Sequence, residues 1–208
     1  MADNYFIVTY DQGTKGYTNI LYNLIAIESI VYNGETITPY TYQSSSANVP
    51  VYRYDFPSNG EHTVTINIKN DATAFREMFG PWFAYTVTED MYCDLVEFTS
   101  YFTNPSMDVD TAREMFRLCT KLRKCNLEQW CRFSTYNTSL AYMFAETGDA
   151  ELNLSGLSRF VDRPSCEGMF DGSNISSVDL SFFKEQMYPG TFTYMFRNAK
   201  NIEEIDLS

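Results

Sequence analysis

The sequence predicts an α+β chain rich in β-structure, with a small antiparallel β-sandwich or roll followed by a short solenoid of repeats. Three observations carry that expectation. Residues 4 to 69 hold five short runs of β-branched and aromatic residues punctuated by turn signals. From Asp71 onward the pattern changes, and the dipeptide Met-Phe recurs at 78/79, 115/116, 143/144, 169/170 and 195/196. An apolar-x-apolar triplet then ends 10 or 11 residues after each of the last four Phe positions, at Leu127, Leu154, Leu180 and Leu207.

In the first part, a domain over 1–70, the runs are Tyr5 to Tyr10, Leu24 to Tyr32, Glu35 to Thr38, Val51 to Phe56 and His62 to Ile68. Several alternate apolar with polar residues, the period of a half-buried strand. Asn33-Gly34 and Asn59-Gly60 are type I′ turn signals, since Asn and Gly reach positive φ at low cost. The second is expected to close a hairpin between the fourth and fifth runs, with Pro57 breaking the incoming strand. Tyr40 to Pro50, with three consecutive serines, reads as an exposed loop.

The second part, 71–208, divides into an irregular first repeat over 71–110 and regular repeats over 111–208 that lack a cap and are expected to be incomplete at the C-terminus, continued by further chain beyond Ser208 or closed by a partner. Successive Met positions are 37, 28, 26 and 26 residues apart. Thr111 with Glu114 three residues on has the form of a capping box, which predicts a brief helical turn leading into each Met-Phe pair. One short strand and one helical turn per period of about 26 residues fall in the leucine-rich-repeat range, so the second part is expected to be a leucine-rich-repeat-like solenoid. In it the triplets Cys125 to Leu127, Leu152 to Leu154, Val178 to Leu180 and Ile205 to Leu207 pair in parallel, while Met and Phe fill a shared core. The irregular stretch from Asp71 to Asn104 is expected to cap its start.

The stretches Ser165 to Phe183 and Thr191 to Ser208 resemble BspA-like leucine-rich-repeat surface proteins, whose repeats run Met-Phe, a polar turn, then Leu-x-x-Leu-Asp-Leu-Ser. The resemblance covers about residues 111 to 208 and is weak from Met78 to Tyr101. It implies a non-enzymatic scaffold used in adhesion or recognition and transfers no catalytic residue. A β-rich part followed by such repeats also resembles the arrangement in proteins of Bacteroides species and their phages.

Composition narrows the function classes. A formal charge of −12 disfavours sequence-independent nucleic-acid binding, which needs Lys and Arg against phosphates, and disfavours anionic membranes. No apolar run approaches the length of a membrane span. The start of the chain lacks a basic segment and a long apolar segment, so it does not read as a secretory signal. Cys93, Cys119, Cys125, Cys131 and Cys166 are expected to be reduced, mostly buried thiols; the six-residue spacing of three of them fits no common zinc pattern, and no cofactor or metal is expected. His62 reads as a strand-edge residue rather than a catalytic base. Nucleophile-elbow, zinc-protease and phosphate-loop motifs are absent, so no catalytic residue is assigned.

Candidate binding residues are therefore the polar middles of the triplets, Asn126, Asn153, Asp179 and Asp206. They form either a recognition or cation-holding ladder on the outer sheet face, or only the solvated face that alternation demands. Trp82 and Trp130 fall in irregular stretches and are candidate interface anchors, with burial over the end of the repeats as the alternative. The expected role is a phage virion component, a fibre, decoration or attachment protein. Its partners would be virion proteins or a host receptor, in a homo-oligomer or larger assembly. A bacterial surface adhesin and an intracellular scaffold are the alternatives.

Overall fold

A computed structural model describes residues 4–43, 50–81, 87–102, 108–109, 111–130, 132–133, 139–158, 165–183 and 191–208. The strands are β1 (Asn4–Asp11), β2 (Thr18–Leu21), β3 (Ile27–Tyr32), β4 (Glu35–Ile37), β5 (Tyr40–Gln43), β6 (Pro50–Tyr54) and β7 (Glu61–Ile68). They continue with β8 (Leu95–Phe102), β9 (Asp108–Val109), β10 (Lys124–Gln129), β11 (Arg132–Phe133), β12 (Glu151–Asn153), β13 (Ser177–Asp179) and β14 (Glu204–Asp206).

A mixed sheet of seven strands, in the order β12-β10-β8-β1-β7-β3-β4, organises the molecule. β1 lies at its centre because its alternating side chains bury Phe6, Val8 and Tyr10 completely on one face. β7 and β8 flank it antiparallel, with Val8 opposite Val64 and Phe98. β8 then takes β10 as a parallel neighbour, Cys125 opposite Phe98, and β10 takes β12 in parallel. A separate antiparallel sheet has the order β2-β6-β5, and β9–β11 and β13–β14 are parallel pairs.

The expected α+β fold with a separate leucine-rich-repeat-like solenoid is overturned. The chain is almost all β, and helix among the described residues is confined to two 3-10 turns, Glu89–Met91 and Ser155–Ser158. The triplets at Cys125 and Leu152 belong to the same sheet as the N-terminal strands, so the sheet runs across residue 70. The cause lies in β8, whose two edges accept opposite strand directions.

Local expectations divide in the same way. Asn33 and Gly34, at φ of 50° and 84°, make the expected type I′ turn between β3 and β4. Asn59-Gly60 closes no hairpin: β6 pairs with β2 and β5, whereas β7 pairs with β1 and β3, so the chain changes sheets there. Tyr40 to Gln43, read as loop, is strand β5. His62 lies on a central strand rather than an edge. Its Nε2–H donates to the Ser58 carbonyl (2.7 Å), its Nδ1 shares a hydrogen bond with the Tyr32 hydroxyl (3.0 Å), and its ring stacks on Phe56.

The capping box is not formed either. Thr111 Oγ1 accepts from the Arg113 amide (3.1 Å), while the Glu114 amide donates to Ala141 O in the next Met-Phe turn. Glu114 has φ of 57°, which an α-helix does not sustain. The same left-handed conformation recurs one residue before Met at Glu77, Tyr142, Gly168 and Tyr194, and two residues after Phe at Leu118, Glu146, Gly172 and Asn198. Each non-glycine position costs roughly 1–2 kcal/mol, which the surrounding hydrogen bonds offset.

What replaces a helix is a stack of five turns around the Met-Phe pairs. Ala74, Thr111, Ser139 and Ser165 bridge one another in parallel. Phe79, Phe116, Phe144, Phe170 and Phe196 form a column with ring centroids 5.2 to 5.7 Å apart and planes within 13° of parallel. Met115, Met143 and Met169 are fully buried beside them. The Met-Phe stripe is core through its first four turns, and burial plus ring stacking holds the turns together.

Candidate functional site: the open end of the turn stack

The geometry of the stack is directional. In the second turn the amides of Ala112, Glu114, Phe116 and Leu118 donate to the carbonyls of Ser139, Ala141, Met143 and Ala145 in the third. Leu140, Tyr142, Phe144 and Glu146 donate in turn to Ser165, Glu167, Met169 and Asp171. Cys166, Gly168, Phe170 and Gly172 donate to Thr191, Thr193, Met195 and Arg197, at 2.7 to 3.0 Å.

Intervening carbonyls are used within their own turns, as where the Met115 amide bonds Ala112 O and the Arg117 amide bonds Glu114 O. The alternating hand of the backbone produces this split. A regular strand points its peptide groups alternately to both sides. Here every second peptide lies along the stack axis, with N–H toward the C-terminal turns and C=O toward the first. Aligned peptide dipoles add, so the fifth turn carries the positive, donor end.

The two ends are finished differently. At the first turn, Met78 O accepts from the Tyr22 amide (2.9 Å) and Arg76 O accepts from Asn23 Nδ2 (3.1 Å), so those acceptors are already satisfied. The end of β2 and the residues after it do the capping expected of Asp71 to Asn104. At the fifth turn, the amides of Phe192, Tyr194, Phe196 and Asn198 find no acceptor among the described residues.

The side chains there are apolar and uncovered. Leu180 and Val178 are 3% and 4% exposed, whereas their counterparts Leu207 and Ile205 are 75% and 41% exposed. Leu180, Ile205 and Leu207 line a hollow of about 410 Å³ with Phe192, Tyr194 and Phe196. At its rim Arg197 lies 4.7 Å over the Tyr194 ring and pairs with Asp171, which also accepts from Asn198 Nδ2 (3.2 Å). Beside it β14 is an edge strand with one face of its backbone unpaired among the described residues.

The residues proposed from sequence fall only partly here. Asn126 opposes Asn153, and Asp179 opposes Asp206, as two separate pairs in different sheets rather than one ladder. Their side-chain oxygens turn back on the chain, each accepting from the amide two residues on: Glu128 (2.9 Å), Ser155 (3.2 Å), Ser181 (2.8 Å) and Ser208 (2.9 Å). These are Asx turns that end the strands. The Ser208 amide and hydroxyl hold the Asp206 carboxyl below its usual pKa. No group of three or more potential ligands that would hold a metal occurs among the described residues.

Trp130 is fully buried against Phe6, Phe75 and Phe102, so it serves the core and is not available as an interface anchor. Trp82 and Cys131 lie outside the described residues. Cys93, Cys119, Cys125 and Cys166 are buried and free, and burial pushes the thiols of Cys93, Cys125 and Cys166 upward in pKa. Phe192, Tyr194 and Phe196 were not singled out from sequence. The signal that marks them is positional: they occupy the last copy of a motif whose earlier copies are all covered by the next.

No protein-family model matches this sequence, and neither does any curated protein or solved structure.

Proposed function

We propose that this protein is a non-enzymatic structural and attachment protein that fixes a protein partner at the open end of its stacked turns. The observation that carries the reading is the fifth turn, where exposed apolar side chains adjoin a row of backbone donors that have no acceptor among the described residues. Contiguous exposed apolar surface with unmet main-chain hydrogen bonding is the property of a face that another chain covers. In the setting the sequence favours, a phage virion, that face joins the protein to other virion proteins as part of a fibre or decoration element.

Site-specific photo-crosslinking in the producing cells tests this. A photoreactive phenylalanine at Leu207 samples the open end, and one at Ile25, equally exposed near the capped end, is the control. A discrete adduct from position 207 alone, recovered with particle proteins, is the expected result. Equal labelling from both positions, or none from 207, would show that the end is not an attachment surface. Recovery with cell-envelope proteins instead would place the same face on a bacterial surface.

A further inference from the structure

The attachment reading identifies a face but not the chemistry of what covers it, and the stack itself supplies that chemistry. Each internal contact joins a row of amide donors to a row of carbonyl acceptors, with one Phe ring laid on the next and one apolar strand beside another. The fifth turn repeats the donor half of that contact, at Phe192, Tyr194, Phe196 and Asn198. Its occupant must bring the acceptor half.

We propose that the partner docks through a segment folded as a turn of the same alternating hand. That segment offers a row of main-chain carbonyls to these four amides, lays an aromatic ring on Phe196 and adds a parallel strand to β14. The proposal rests on the attachment reading and specifies its partner. The outer edge also sets a charge. In the main sheet Lys124 sits between Glu97 on one side and Glu151 on the other. β14 ends the stack with Glu204 and Asp206 exposed, so a cationic residue on the docking strand opposite Glu204 is favoured by the same cross-strand pairing.

A second copy of this chain does not fit. Related by a two-fold axis, two fifth turns would set donors against donors. Arranged head to tail, the acceptor end of the next copy is closed, because Tyr22 and Asn23 already occupy Met78 O and Arg76 O. A small anion would meet one or two amides and leave the Phe196 ring and Leu207 uncovered.

The probe is a synthetic peptide spanning residues 165–183, which already makes both halves of the contact within the chain, together with its Ser177→Lys form. The peptide is added to the intact protein at up to about 1 mM, and the same segment is also tethered to the C-terminus by a flexible linker to raise its effective concentration. Amide exchange is followed residue by residue. Protection of the Phe192, Tyr194, Phe196 and Asn198 amides is expected to rise at least about tenfold. Ser177→Lys is expected to strengthen binding several-fold, and Phe196→Ala in the protein to remove it.

Shifts in the Ile205 and Leu207 methyl signals without protection of the four amides would overturn the acceptor-row proposal and leave the attachment reading standing. Failure of both the free peptide and the tethered segment to perturb the end would overturn it as well. Concentration-dependent dimerisation that protects the same amides would overturn it in favour of a second copy.

Discussion

At Gly156 an added Cβ would overlap the carbonyl oxygen of Leu127 and meet that of Glu128 at 2.6 Å. Both obstacles are backbone of β10, which cannot swing aside as a side chain does. Gly156→Ala is therefore expected to destabilise the fold by about 3 kcal/mol or more, read as a fall in the urea midpoint. Cys166 gives a second check. Its thiol is buried and pushed up in pKa by that burial, so alkylation at pH 8 is expected to proceed only as fast as the protein unfolds. Rapid labelling in the folded state would contradict its place in the core. For Asp206 the folded pKa is depressed. The Asx turn with Ser208 thus contributes above the ordinary carboxylate pKa and is lost as pH falls through the folded value. A proton titration by NMR is expected to place the Asp206 midpoint below that of the same residue in an unfolded peptide. Residue-level burial of the Met-Phe pairs was legible in the sequence because strict recurrence marks core. The roles of His62 and Trp130 were not, since both depend on which strands lie beside them, and sequence neighbours do not set that.

Elements show the same division more sharply. Asn33-Gly34 was legible as a hairpin because its two strands adjoin in sequence and the turn alone sets their pairing. Asn59-Gly60 carries the same signal, yet β7 is claimed by β1 and β3 through longer, more buried pairings, and tertiary context overrode the local cue. The period of the repeats was visible, but the conformation of each turn was not. Glu114, Tyr142 and Tyr194 adopt positive φ without the glycine that normally announces it. The column of rings offers a quantitative test at this scale. Phe144 is fully buried between Phe116 and Phe170, whereas among the described residues Phe196 has a stacked ring on one side only. Phe144→Ala is expected to cost about 3–5 kcal/mol and Phe196→Ala about 1 kcal/mol, measured by denaturant unfolding. Equal costs would mean that the end of the stack is covered like its middle.

The whole molecule joins two kinds of sheet edge through one core. Antiparallel strands on one side of β8 and parallel strands on the other place the acceptor end of the stack against the N-terminal strands and leave the donor end outward. That polarity was not legible in the sequence, because it arises from main-chain orientation rather than from side-chain identity. Its consequence is that the fifth turn presents a row of amides with no acceptor among the described residues. Residue-resolved amide exchange on the protein alone tests that most directly. Cys166, Gly168, Phe170 and Gly172, bonded to the fifth turn, are expected to exchange slowly, and Phe192, Tyr194, Phe196 and Asn198, one turn further on, to exchange near the unprotected rate. Equal, strong protection of both rows would contradict a stack that is open at its donor end.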